Sequence, residues 1–142
     1  MIPATPRLDA ARDAIFARLA AVDKDPARLP EVDQTVVAVY GAQGVIDNGG
    51  LQYFFENDWP SRPSYSLFID AYRRIGAVAV AALIEQAVRR FPFAEPHKNQ
   101  ELRREFMESL AEGDAFFGEA ACGDPIVWVR LEEYVRDNVR QP

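Results

Sequence analysis

At 142 residues, with 49% hydrophobic and 27% charged side chains, the chain has the size and balance of one globular domain, which excludes an intrinsically disordered segment. Its net charge of −6 is uneven: residues 95–142 hold 11 acids and 6 bases, while the remainder is close to neutral, which excludes a basic phosphate-binding surface as the dominant feature. The single cysteine, Cys122, cannot form an internal disulfide and fits a reducing compartment.

The N-terminus, MIPATPRLDAARDAIF, has no continuous apolar run of the signal-peptide kind. The longest apolar run, Ala77 to Ile84, is far short of a membrane span. A cytoplasmic protein without a membrane partner is the expectation.

Thr5 followed by Pro6 reads as an N-cap with proline at the first helical position. Leu8, Ala11, Ile15, Leu19 and Val22 then recur at helical spacing, giving a first amphipathic helix to about Ala21, stopped by Asp23-Lys24-Asp25-Pro26. A second helix begins near Pro30, with Glu31 and Asp33 where the macrodipole favours acids and with Val32, Val36, Val39 and Tyr40 on one face. The run Thr35 to Tyr40 is also strand-like by composition. No turn-bounded partner strand exists elsewhere in the chain, so the reading is helix.

The stretch Val45 to Asn57, VIDNGGLQYFFEN, is the predicted centre of the fold. The turn Asp47-Asn48-Gly49-Gly50 is filled by small or left-handed-tolerant residues, and Leu51, Tyr53, Phe54 and Phe55 crowd in behind it. So many aromatics predict a short, buried central helix, capped by Asp47 or Asn48 and ended at Asn57-Asp58. A loop at Trp59-Pro60-Ser61-Arg62-Pro63 follows.

Tyr65, Phe68, Ile69, Tyr72 and Ile75 predict a fourth helix, with Gly76 as its C′ glycine. Val80, Leu83, Ile84, Ala87, Val88 and Phe91 predict a fifth, stopped by Pro92. After a proline-bearing loop at Phe93 to Lys98, Asn99 caps a helix carrying Leu102, Phe106 and Leu110. Ala115 to Cys122 reads as a short helical turn, and Asp124-Pro125 starts a last helix bearing Trp128, Leu131, Val135 and Val139. The expectation is an all-α, single compact domain over residues 1–142, with about seven helices around the short buried one.

Residues that carry chemistry are sparse. His97, the only histidine, falls in a loop and reads as exposed rather than catalytic. Cys122, set among alanines and glycine, reads as small filler rather than nucleophile. There is no paired Cys/His cluster, no HExxH and no calcium loop, so no metal and no cofactor are expected. Asp47, Glu56 and Asp58 flank the central helix as a potential carboxylate set, but helix-end acids explain the same letters. Gly49-Gly50 lacks the rest of a phosphate-binding loop and reads as a bend. Gln52 and Asn57 either bond neighbouring backbone or, with Asn48, line a small polar pocket.

Tyr40, the segment Asp47-Asn48-Gly49-Gly50-Leu51-Gln52-Tyr53-Phe54-Phe55-Glu56-Asn57, then Ile75-Gly76-Ala77 and Ala87 to Pro92 resemble the DNA-mimic protein 19-like family, a widespread bacterial domain mostly of unknown function. The likeness covers about residues 36–92, with a looser fit through the helical part at 99–140. It implies an all-α fold with the Asn-Gly-Gly turn leading into a core helix. It also implies the described role of one member: a dimeric acidic protein that imitates DNA charge and sequesters a transcription factor. The chain departs from the family at Asp58 to Pro63, where a small glycine-containing loop is usual.

The expected function is therefore a non-enzymatic protein-interaction domain, presenting its acidic C-terminal third to a transcription factor or other basic protein. Direct nucleic-acid binding is not expected, and a homodimer is permitted. The alternative is a small-ligand-binding or hydrolytic enzyme with a polar pocket near Asn48, Gln52 and Asn57. A toxin-neutralising partner protein is a further version of the first reading.

Overall fold

The computed structural model describes residues 6–117 and 125–139. Among them there are six α-helices and no strand: α1 (Pro6–Ala21), α2 (Glu31–Glu56), α3 (Tyr65–Arg74), α4 (Val78–Arg90), α5 (Gln100–Glu108) and α6 (Pro125–Asn138). Short 3-10 turns lie at Pro26–Arg28, Pro96–Lys98 and Ala115–Phe117. The all-α expectation holds. The expected count of about seven does not, because the second helix and the central helix are one element.

That element, α2, organises the rest. It packs against α1, α3, α5 and α6, while α4 packs on α3. Thr35 through Val39 are buried on every side of the helix, which explains their strand-like, β-branched composition: a helix sheathed all round needs no polar face. Its start is marked by Glu31 and Asp33, as expected, with Pro30 at the N-cap position.

At Gly49-Gly50 the helix kinks instead of ending. Gly49 has φ −163° and ψ 23°, and Gly50 has φ 69° and ψ −166°, a combination open essentially only to glycine. Gly49 is required for another reason: a Cβ there would sit 2.3 Å from Cγ of Tyr53. Asp47 and Asn48 come just ahead of this break in helical geometry. They lie in the turn before the kink, where Asn48 Nδ2 donates to the Gly44 carbonyl at 3.0 Å.

The kink aims the aromatic run into the core. Phe54 and Phe55 are fully buried, with ring centroids 4.9 Å apart. Phe54 meets Phe68 of α3 edge-on at 5.1 Å, whereas Phe55 meets Tyr65 at 5.1 Å and Phe91 at 5.2 Å. Together they join α3, the end of α4 and the Phe116 turn, the edge-to-face geometry adding about 0.5–1.5 kcal/mol per pair beyond area burial. Tyr53 points the other way and is 49% exposed.

The remaining boundaries follow local signals. Gly76, with φ 83°, ends α3 as expected. Asn99 caps α5, its side chain accepting from Leu102 N at 3.0 Å. The Ala115 turn is confined to Ala115–Phe117 in the described part; the expected continuation to Cys122 and the Thr5 and Asp124 caps lie outside the described residues. The start of α1 has another anion: Glu132 of α6 accepts from Arg7 N and Leu8 N, both at 2.9 Å, setting a carboxylate on the positive end of the helix.

Gly50→Ala forces a Cβ into a backbone region that L residues avoid. Chemical denaturation should show a loss of about 1–3 kcal/mol with the helical circular dichroism of the folded state retained.

Candidate functional site

A buried helix that carries polar residues has to satisfy them internally, and α2 does so through α3 and α6. Tyr72 OH donates to Gln43 Oε1 at 2.9 Å, Gln43 Nε2 donates to Asp47 Oδ1 at 2.7 Å, and Trp128 Nε1 donates to Asp47 Oδ2 at 2.8 Å. Every donor points toward Asp47, whose oxygens accept from two sides. This direction fixes the Gln43 amide, since only its NH2 can face a carboxylate. Burial, aided by the Asp47 charge, pushes the Tyr72 phenol well above its usual range, so it remains a donor.

The far end of α2 is closed by Arg103 of α5, which is 1% exposed. Its Nε donates to the Phe55 carbonyl at 2.8 Å, and its terminal nitrogens to the Pro96 and Asn57 carbonyls at 2.7 and 3.2 Å. The Phe55 and Asn57 carbonyls lie at the end of α2, where intrahelical partners run out, and a cation there also complements the macrodipole. Asp58 Oδ1, buried and without a hydrogen bond, lies 3.8 Å from Arg103 as its counter-ion.

The expected polar pocket residues are dispersed along this helix. Asn48 is exposed and bonded to its own helix. Gln52 is exposed, its amide donating to Glu56 Oε1 at 3.0 Å. Asn57 is the C-cap, and its carbonyl accepts from Arg103. Gln52 lines a polar groove of about 340 Å³ with Glu56, Arg104, Met107 and Glu108. Asp47, Glu56 and Asp58 are likewise held by different partners: Trp128 and Gln43, Gln52, and Arg62, respectively. Among the described residues no group of three or more His, Cys, Asp or Glu is placed to hold a metal ion. No described helix is long and apolar enough to cross a membrane.

His97 is partly buried rather than exposed, its ring meeting Tyr65 edge-on at 6.1 Å. Burial first, then the Lys98 charge, lowers its pKa from the usual 6.5. The sequence places Tyr72 and Trp128 on apolar helix faces without a polar role, and gives no role to Gln43 or Arg103. Polar residues within otherwise apolar helical stretches were the available signal, but nothing in the letters links Asp47 to Trp128.

The surface charge is partitioned. Most described arginines are tied to a nearby acid, as in Arg18–Asp33 (2.6 Å) and Arg73–Glu85 (2.8 Å), and Arg90 pairs with Asp114. The Arg90 contact and the Phe116 N–H hold Asp114 down to about 2. By contrast Glu56, Glu101, Glu105, Glu108 and Glu112 form no ion pair among the described residues. Glu101, Glu105 and Glu108 are exposed and spaced i, i+4, i+7, one stripe along α5 flanked by Arg104, which forms no ion pair among the described residues.

These features define an all-α domain built on a diglycine-kinked core helix, with an acidic helix on its surface. The family model described as DMP19-like protein matches residues 27–138, and the chain belongs to that family. No curated protein and no solved structure matches it.

Asp47→Ala leaves the Trp128 and Gln43 donors without their acceptor in a buried site. Equilibrium denaturation should register a loss of about 2–4 kcal/mol. For His97 the folded state binds a proton less readily than the unfolded chain, whose imidazole titrates near 6.5. The stability due to the neutral ring is therefore full above that pH and declines below it. Between about pH 7 and pH 5, His97→Gln should flatten the stability profile.

Proposed function

We propose that the protein is a non-enzymatic interaction domain that offers the acidic stripe of α5 to a basic protein, of the kind that otherwise binds DNA. The observation that carries this reading is the placement of Glu105 and Glu108. They sit in the last turn of α5, where the helix macrodipole disfavours anions by about 0.3–1 kcal/mol each, and neither forms an ion pair among the described residues, although Arg104 lies on the same helix. Stability does not explain carboxylates in that position; recognition of cations does.

The helix rise of about 1.5 Å per residue puts these carboxylates roughly 4.5–6 Å apart along the axis, wider than the roughly 3.4 Å axial step of successive phosphates on one strand, so the likeness to DNA lies in a line of negative charge and not in its exact spacing. Membership of the DMP19-like protein family supports the same direction. The bases counted in the composition do not dilute this face as much as their number implies, because most are consumed in local pairs elsewhere.

The test is capture of partners from native cytosol, followed by titration of the purified partner. Raising salt about fourfold should weaken binding at least tenfold, duplex DNA should compete, and Glu101→Gln/Glu105→Gln/Glu108→Gln should lower affinity about tenfold or more without loss of fold. Binding insensitive to both salt and the triple substitution removes charge imitation as its basis.

A further inference from the structure

The polar groove of about 340 Å³ lies between the last turns of α2 and α5, with Gln52 and Glu56 from the first and Arg104, Met107 and Glu108 from the second. Its two walls are tied together from α5. Arg103 donates to the Phe55 and Asn57 carbonyls, and Gln100 Nε2 donates to the Glu56 carbonyl between them at 2.8 Å. The groove is thus held in shape before any partner arrives, which lowers the ordering cost of binding.

Its chemistry is a surplus of acceptors. Gln52 Nε2 donates to Glu56 Oε1 at 3.0 Å, which leaves the Gln52 carbonyl oxygen and the second Glu56 oxygen as acceptors. Glu108 adds a carboxylate as the final residue of α5, whose last turn carries no base. Neither Glu56 nor Glu108 forms an ion pair among the described residues, and neither does Arg104. Counting all three, the lining sets two carboxylates against one guanidinium. Met107, only 5% exposed, supplies the apolar part of the wall.

Charge calls for a cation, and the acceptors decide which. Two carboxylates and one amide fall short of the roughly six to eight oxygens that calcium takes. An ammonium is compact and strongly hydrated, whereas a guanidinium spreads five donors over a planar fork and sheds water more readily. Its aliphatic stem also lies well on apolar surface of the kind Met107 offers. We propose that the groove receives an arginine side chain of the basic protein that α5 meets, the guanidinium donating to Glu56, Glu108 and the Gln52 carbonyl. This rests on the interaction reading above, and Glu108, common to stripe and groove, makes the two surfaces continuous.

Fluorescently labelled hexa-arginine and hexa-lysine, equal in side-chain charge, are the probes, titrated into the full chain by anisotropy. Hexa-arginine should bind about fivefold or more tightly than hexa-lysine. Glu56→Gln should remove most of that preference, while Arg104→Gln, which takes away the competing cation, should tighten hexa-arginine about threefold. Glu101→Gln/Glu105→Gln, outside the groove, should weaken both peptides alike and leave the preference unchanged. Far-UV circular dichroism and melting confirm the fold of each variant; should Glu56→Gln not fold, the wild-type preference and the Arg104→Gln response decide. Equal affinity for the two peptides, an unchanged preference in folded Glu56→Gln, weaker hexa-arginine binding in Arg104→Gln, or no saturation by about 1 mM would overturn the proposal. Equal affinity that still falls with salt and with Glu101→Gln/Glu105→Gln would sink the arginine groove and leave the interaction reading standing.

Discussion

Placing a bent helix at the centre of a bundle imposes a constraint from which most of this structure follows. A straight, fully sheathed helix satisfies its backbone internally, but a kink and a buried end expose donors and acceptors that water cannot reach. Here Arg103 serves the carbonyl end, while the Asp47 carboxylate, just ahead of the kink, takes the side-chain donors of Gln43 and Trp128. Both groups are charged, and each is surrounded by several hydrogen bonds, which is what makes burial of charge tolerable. Through them α3, α5 and α6 are tied to the same helix that supplies Phe54 and Phe55 to the core.

The polar network also explains why the aromatic run can be so dense. Because adjacent helical residues are about 100° apart, Phe54 and Phe55 face different directions from α2, one toward Phe68 and the other toward Phe91 and Phe116, while both reach Tyr65. Without the redirection at Gly50 the pair could not divide the core in this way. Sequestering Asp47 beside Trp128 and the neighbouring Tyr40 ring, whose centroids are 5.6 Å apart, fastens the C-terminal helix close to the bend. The family signature is therefore a set of instructions for assembly, and chemistry at the surface is written elsewhere.

At the surface, charge is arranged by element. Ion pairs absorb most arginines of α1, α3 and α4 next to their acids, while α5 turns Arg103 inward and leaves its glutamates in solvent. One short helix thus has an inner face that closes the core helix and an outer face free to meet a partner.

Periodicity alone located α1, α3, α4, α5 and α6, since apolar spacing, proline stops and caps such as Asn99 act within a few residues. It also identified Phe54 and Phe55 as core, because that much aromatic surface has no stable place in water. Asp47-Asn48-Gly49-Gly50 has the letters of a helix start, and helical geometry does break at Gly49 and Gly50 and resume beyond them, within one continuous element. Whether such a turn ends a helix or bends it depends on packing on both sides, which neighbours in sequence do not encode. The same limit hid the role of Asp47, whose partner Trp128 lies 81 residues away, and the inward turn of Arg103, which sequence counts among the surface bases. Composition and spacing determined an acidic helical protein with a diglycine bend ahead of a buried aromatic run. The tertiary structure decided which charges are spent inside and which stay outside, because only close approach in space selects a partner for each.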